Sequence, residues 1–369
     1  MSRTRLIFQN LNLYVGPAGI SGSTATGGLY SAGNTGSNLI AQLSRVQSAN
    51  LTATIDRTDI NEFGRLNRID QMIVNPPKFD LDFSYYSTNG MNERWLGFDI
   101  SGNAFINPIL TKVADSKNYF ISVSPQGQDD DGYTDTTTRS VYALGNGFIS
   151  SYALNLAVGK PADATVRVEA LNIASYLTSS GNSTPAVDPS SSQAITTWQW
   201  QLPVGDPVTG ASIPTALRPG DITLNFPTGG FLAPLNGASS INIQSVALSV
   251  PMNREVLNRL GTVFGFSREL QVPIKTTLQI RALATDVQQN SFSNVYNNDQ
   301  FYDFSITQNA PGTNTAAFVL GFKQAKLQSY SLSNPINGNS TVDLTFDTQI
   351  QGSNNALGGV TFSGSFVSP

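Results

Sequence analysis

A stretch of 38 residues occurs twice in this chain. Gln47–Ser84 aligns with Gln244–Arg281 at a constant offset of 197, without a gap. Nine pairs are identical: Gln47/Gln244, Ser48/Ser245, Leu51/Leu248, Arg57/Arg254, Asn61/Asn258, Gly64/Gly261, Pro76/Pro273, Lys78/Lys275 and Leu81/Leu278. Others keep their character, such as Ala53/Val250, Ile60/Leu257 and Ile73/Leu270. A repeat means that one supersecondary unit is built twice, and it constrains the fold before any local propensity does. A second match follows in the same order. Ser151–Leu154 faces Ser329–Leu332 at an offset of 178, and Ala164–Val168 faces Ser340–Leu344 at 176. The first copy carries an extra stretch, Gln126–Thr138, between its two matching blocks. The chain of 369 residues is long enough for two domains. The expected division is a first unit at 1–177, a linker with an extra strand at 178–214, and a second unit at 215–369.

Within each copy the apolar residues recur with period two, the signature of strands with one buried face. Phe79, Leu81 and Phe83 alternate with Lys78, Asp80, Asp82 and Ser84. Val166 and Val168 alternate with Thr165, Arg167 and Glu169, and Val342, Leu344 and Phe346 alternate with Thr341, Asp343, Thr345 and Asp347. Antiparallel sheets show this pattern, dry on one side and wet on the other. Helical signal is sparse. The best candidate is Asn89–Gly97, and a second short stretch, Glu255–Leu260, reads as either a helix or a structured loop. The expected fold is mainly β, two tandem β-sandwich or half-barrel units, each with one short helix. Thr178–Gln193, rich in Ser, Gly, Pro and Asn, reads as a linker. Thr197–Leu202 and Asp221–Phe226 read as strands, the latter in the place that Leu6–Tyr14 takes in the first copy.

Composition excludes several chemistries. The chain has neither Cys nor His, which removes disulfides, Cys nucleophiles, Ser-His-Asp triads and the usual zinc and iron ligand sets. Net charge is −4, so the chain as a whole is no nucleic-acid clamp. Charged residues are 12%, about half the usual quarter. Such a polar but weakly charged surface suits a protein that buries itself against its own copies. No N-terminal apolar core of a signal peptide and no membrane-spanning stretch is evident, so synthesis as a soluble cytosolic product is the expectation.

The remaining motifs favour structure over catalysis. Asp129-Asp130-Asp131-Gly132 resembles a calcium loop, but position 1 falls on Gly127 and no Glu stands at position 12, which leaves a solvated or partner-facing loop. Asp80 and Asp82 share a strand face beside Lys78, the arrangement of a wetted surface rather than a glycosidase dyad. Trp198 and Trp200 read as an inter-sheet or inter-subunit plug ahead of a sugar platform. Arg57-x3-Asn61-x2-Gly64 and Arg254-x3-Asn258-x2-Gly261 are the shared signature. They read as shaped turns with Gly at positive φ, and as contact loops whose Arg reaches an acceptor on the next subunit. No catalytic, cofactor or metal residue is expected.

Val46–Gly64, followed by Ile73–Pro77 and the strand Lys78–Ser84, resembles the major tail tube proteins of long-tailed bacteriophages. The resemblance implies packed β-sheets with a flanking helix, sheets of neighbouring subunits joined into a closed barrel, and rings stacked into a tube. Two fused units imply trimeric rings with pseudo-six-fold symmetry. The implied partners are the chain itself, a tape-measure protein and transient double-stranded DNA in the lumen, and tail terminator and baseplate or tip proteins. The implied location is the virion tail, assembled in the host bacterial cytoplasm, with no membrane, cofactor or enzymatic role. Asp80, Asp82, Asp343 and Asp347 are the candidate lumen residues, tempered by Lys78, Arg167 and Arg281, and the same face could instead be the exterior. Other readings are a head-surface or baseplate component, or a glycan-binding tail protein.

Overall fold

The computed structural model of the chain describes residues 10–18, 40–112, 115–131, 133–188, 191–196, 199–203, 215–225, 243–262, 264–265, 267–283, 301–334, 336, 339–350 and 359–366. It is mainly β. The first copy contributes β1 (Leu11–Pro17), β2 (Ala41–Gln42), β3 (Val46–Thr54), β4 (Arg57–Ile60), β5 (Asp70–Ile73) and β6 (Lys78–Tyr86). Then come α1 (Met91–Leu96), β7 (Ser101–Ala104), α2 (Asn107–Leu110), β8 (Lys117–Val123), β9 (Ser140–Ala157), β10 (Asp163–Ala170) and β11 (Asn172–Tyr176). Four short strands follow: β12 (Ser180–Ser183), β13 (Val187–Asp188), β14 (Gln193–Ala194) and β15 (Gln199–Gln201). The second copy contributes β16 (Ile222–Asn225), β17 (Ile243–Pro251), β18 (Arg254–Leu257), β19 (Ser267–Leu270) and β20 (Ile274–Leu283). It ends with β21 (Tyr302–Asn309), β22 (Ala316–Ser333), β23 (Thr341–Ile350) and β24 (Gly359–Gly364).

Eight strands form one antiparallel sheet in the order β3-β6-β10-β9-β17-β20-β23-β22, four from each copy. The repeat is kept in the pairing. Leu51 lies opposite Leu81 and Leu248 opposite Leu278; Arg57 lies opposite Ile73 and Arg254 opposite Leu270. Downstream, the register corrects the alignment. Tyr152 faces Val166 and Tyr330 faces Leu344, so both blocks stand at an offset of 178, and Val168 corresponds to Phe346 rather than to Leu344. A slip of two residues leaves every side chain on its own face, so alternation alone is blind to it. Even the bulges correspond, between Ile149 and Ser151 in β9 and between Leu327 and Ser329 in β22.

The two 18-residue strands, β9 and β22, each serve two sheets. The first half of β9 pairs with β8 and β11, and its second half with β10 and β17. The first half of β22 pairs with β21 and β24, and its second half with β23. Each strand turns between sheets beside a residue of left-handed φ, Asn146 (φ 50°) and Gln324 (φ 49°), again 178 apart. Such a conformation is uncommon for a residue with a Cβ, and here it redirects the strand. At the outer edges β1 lies on β8, and β16 takes the same place on β21, as the strand comparison of the two copies anticipates.

One apolar cluster runs through both copies and includes Phe83, Tyr152, Leu248, Phe346 and Phe362. Phe362 of β24 packs on Phe105 (4.6 Å between ring centroids), Phe98 (6.1 Å) and Tyr152 (5.6 Å) of the first copy. Strand β7 extends the outer sheet of the second copy by pairing with β24. The copies therefore share a core, which is why the tandem is one body along this seam.

Two expectations change. The helix at Asn89–Gly97 is α1, but Glu255–Leu260 starts as strand β18, and both short α-helices, α1 and α2, lie in the first copy. Among the described residues the second copy has no α-helix. The β18–β19 ladder absorbs the backbone groups that a helix would have bonded internally. The Ser/Gly/Pro-rich stretch 178–193 is no open tether either. It forms the β12–β15 and β13–β14 pairs and docks on the first copy, burying Ala186, Val187, Trp200 and Leu202. Asn146 Oδ1 accepts from Val187 N (2.6 Å), and Asn118 Nδ2 donates to Thr184 Oγ1 (3.1 Å). Small polar side chains here satisfy backbone groups, so low hydrophobicity coexists with order.

Candidate functional site

The copies meet edge to edge. In the β9–β17 ladder Tyr152 faces Val250, Leu154 faces Leu248 and Leu156 faces Val246, all buried. The β18–β19 hairpin of the second copy reaches beyond this seam onto the first. The Arg254 side chain is fully enclosed there. Its Nε donates to the Ile149 carbonyl (2.9 Å), its Nη1 to Asp115 Oδ1 (2.7 Å), and its guanidinium lies over the Phe148 ring (5.0 Å). Arg268 is ion-paired with Glu169 of β10. Lys112 holds Glu269 (2.9 Å) at the rim, and this contact with Ser267 keeps the Glu269 carboxyl below its usual range. Phe264 packs against the cluster of Phe148, Leu171 and Val187.

The acceptor expected on the next subunit thus belongs, for Arg254, to the first copy of the same chain. The side chain of its repeat counterpart Arg57 is exposed and makes no hydrogen bond or ion pair among the described residues. Asn61 and Asn258 lie exposed at the hairpin ends, and Gly64 (φ 92°) and Gly261 (φ 81°) hold the left-handed turns that the motif implies. The repeated motif shapes two similar hairpins, of which the second is docked and the first is bare.

The bare surface is extensive. Ile55 is 48% exposed where its counterpart Met252 is 0%, and Ile73 is 48% exposed where Leu270 is packed against the core. Phe63, Leu66, Ile69 and Met72 add to an exposed apolar hairpin. Strand β3 is the outer edge of the eight-stranded sheet beside it. At the other end the second half of β22 pairs, among the described residues, with β23 alone, and its Leu332 is 50% exposed. An open strand edge beside an exposed apolar patch is a template for pairing with another chain.

Beyond the docked hairpin, the face of the sheet opposite the core is wet and electrically balanced. Asp80, Asp82, Asp343 and Asp347 all point to it. Arg167 lies 3.4 Å from Asp80 and 3.8 Å from Asp82, Arg281 binds Asp343 (2.6 Å), and Lys275 binds Asp347 (3.0 Å). Lys78 lies 3.8 Å from Asp56. The central strands present Ser151, Ala153, Asn155, Ser245, Ala247, Ser249, Thr277 and Gln279, small and mostly neutral.

Glu93 and Arg139 are buried polar groups that the sequence did not single out, and Asp130 of the calcium-like motif is buried with them. Glu93 of α1 accepts from the hydroxyls of Tyr85 (3.0 Å) and Tyr152 (3.2 Å), and burial raises its pKa against those hydrogen bonds. Asp130 is completely buried and holds Arg139 in a two-point contact (2.7 and 3.0 Å). Asp129 and Asp131 are exposed, as a solvated loop has them, whereas Asp130 turns inward and Arg139 occupies its carboxylate, so it is no open calcium ligand. Trp200 is buried against Phe120 and Tyr176, which removes it as a sugar platform; Trp198 lies outside the described residues. The chain matches no protein-family model and no curated protein.

Proposed function

We propose that this protein is a structural ring subunit, the building block of a bacteriophage tail tube. The observation that carries the reading is the β9–β17 junction. It joins two copies of one unit edge to edge and leaves the same two edges, β3 and β22, open at the ends of the tandem. Repeating the junction between chains extends the sheet head to tail. Cyclic closure then removes every open edge of the main sheet. The repeat offsets supply the register: Leu332 opposite Leu51 and Tyr330 opposite Ala53, the counterparts of Leu154/Leu248 and Tyr152/Val250.

Geometry favours three chains. Three chains place twenty-four strands in the barrel, eight from each. With strands about 4.8 Å apart and tilted by about 40°, the backbone diameter is roughly 48 Å, leaving a channel of roughly 35–40 Å once side chains project inward. A DNA duplex fits such a channel. The second sheets and the helices lie on the apolar side of the main sheet, so closure puts that bulk outside and turns the polar face inward. Asp80, Asp82 and Asp343 then line the lumen with their cations neutralised beside them, and Asp347, the counterpart of the hairpin-covered Glu169, lies at its margin. A wall without unmatched positive charge does not retain a polyanion in transit.

On this reading the partners are the chain itself, a tape-measure protein and passing DNA, with terminator and baseplate proteins at the tube ends. The location is the virion tail, and the role is architectural rather than catalytic. Negative-stain microscopy of the purified full-length protein tests it. Rings with six pseudo-equivalent lobes and an open centre are expected; a protein that stays monomeric at every concentration overturns it.

A further inference from the structure

We infer that the β4–β5 hairpin is a docking arm that seats on the second unit of a neighbouring copy of this chain, over β22 and β23, as β18–β19 seats on β9 and β10. The inference rests on the ring reading and adds a second, separately testable contact to it. The intramolecular contact is the template. The floor-facing residues of the docked hairpin are Arg254, Val256, Arg268 and Leu270, two cross-strand pairs on one face. The equivalents on the bare hairpin are Arg57, Asp59, Gln71 and Ile73, paired in the same register. On the floor, the register and the shared bulge map Phe148, Ile149 and Glu169 onto Lys326, Leu327 and Asp347. Arg57 accordingly donates to the Leu327 carbonyl of the neighbour, as Arg254 does to that of Ile149.

The differences between the two contacts are complementary. The bare hairpin has Asp59 where the docked one has Val256, and the second-unit floor has Lys326 where the occupied one has Phe148. One acid appears on the arm, held in the free subunit by Arg68 (3.1 Å) and Gln71 Nε2 (2.9 Å), and one base on the floor, where Lys326 lies over the Phe301 ring (4.7 Å), so docking exchanges these local contacts for the one between them. The arm also exchanges Arg268 for the neutral Gln71, which suits Asp347 in the place of Glu169: Lys275 already holds its Oδ2 (3.0 Å), and its Oδ1 is buried without a hydrogen-bond partner among the described residues. Charge is therefore redistributed so that the arm fits a floor of this chain's second unit, and the exposed Ile55 and Ile73 gain the cover that Met252 and Leu270 already have. Complementary charge of this kind fixes register and partner choice.

Sedimentation velocity and negative-stain microscopy of the full-length protein across a concentration series test the arm. Asp59→Lys and Lys326→Asp each raise the concentration needed for ring formation by about tenfold or more, and the double exchange returns it to within about threefold of the parent. Arg57→Ala, altered at an exposed side chain, weakens assembly while the unfolding midpoint of the subunit stays unchanged. If the parent forms rings and all three single variants form them equally well, the docking arm is overturned and the ring reading stands. If the parent forms no ring, the ring reading itself fails.

Discussion

Arg254 Nε donates to the main-chain oxygen of Ile149 at 2.9 Å across the seam between the two copies, and the guanidinium is sealed from water by Phe148 and Asp115. The same residue type at the same motif position, Arg57, stands in solvent. Arg254→Ala leaves Asp115, whose pKa burial already raises, without its cation and the Ile149 carbonyl without its donor. A loss of about 2–4 kcal/mol in urea unfolding is expected. Arg57→Ala is expected to stay within about 0.5 kcal/mol of the parent. Equal losses for the two would mean that the hairpins are equivalent in the free subunit.

Glu93 gives the subunit a pH signature. Its pKa is raised in the folded state because burial disfavours the carboxylate. In the unfolded chain it ionises near the usual carboxylate value. Below that value both states are protonated and the group contributes nothing to the pH slope. As pH rises past it, the unfolded chain releases the proton first, so stability falls until the folded pKa is reached. Each unit of elevation corresponds to about 1.4 kcal/mol. Glu93→Gln, which keeps an acceptor for Tyr85 and Tyr152, is expected to be more stable than the parent at pH 7 and equal to it near pH 4. A constant difference across that range would contradict the assignment.

The Arg139–Asp130 pair fixes the insertion that distinguishes the first copy. Arg139 also donates to the Pro203 carbonyl (3.2 Å) and to Ser122 Oγ (2.6 Å), so one guanidinium ties three segments together. Asp130→Asn keeps the shape and removes the charge, leaving a buried cation uncompensated. A loss of about 3–5 kcal/mol is expected from denaturant melts. Calcium titration of the parent should leave the melt unmoved.

Gly145 is the point where the segment 178–202 meets the first copy. A Cβ there would stand 2.0 Å from the Pro185 carbonyl oxygen. Gly145→Ala therefore pushes the segment off, with a loss of about 1–3 kcal/mol and faster proteolytic cleavage between residues 178 and 202. Cleavage at the parent rate would show that the segment is not seated as described.

Much of the fold was legible in the chain itself. Covalent order carries the duplication, and alternation of period two carries the strands and their wet and dry faces, because a strand's side chains change sides at each residue whatever its neighbours do. The motif positions, the positive φ at Gly64 and Gly261, and the helix at Met91–Leu96 were set locally. Other features depended on what meets what. The two-residue slip between Val166 and its counterpart left each face unchanged, so only pairing with Tyr152 and Tyr330 decided it. The β-structure of Arg254–Leu257 came from a facing strand, not from its own propensity. The burial of Asp130 and Glu93 came from Arg139 and from two tyrosines remote in sequence. Above all, the sequence contains the Arg-x3-Asn-x2-Gly hairpin twice with equal standing, and tertiary structure made one of them a buried strut and left the other exposed. A tandem of two units has only one internal junction, so one copy of every contact must lie inside the chain and its twin must be left at the end.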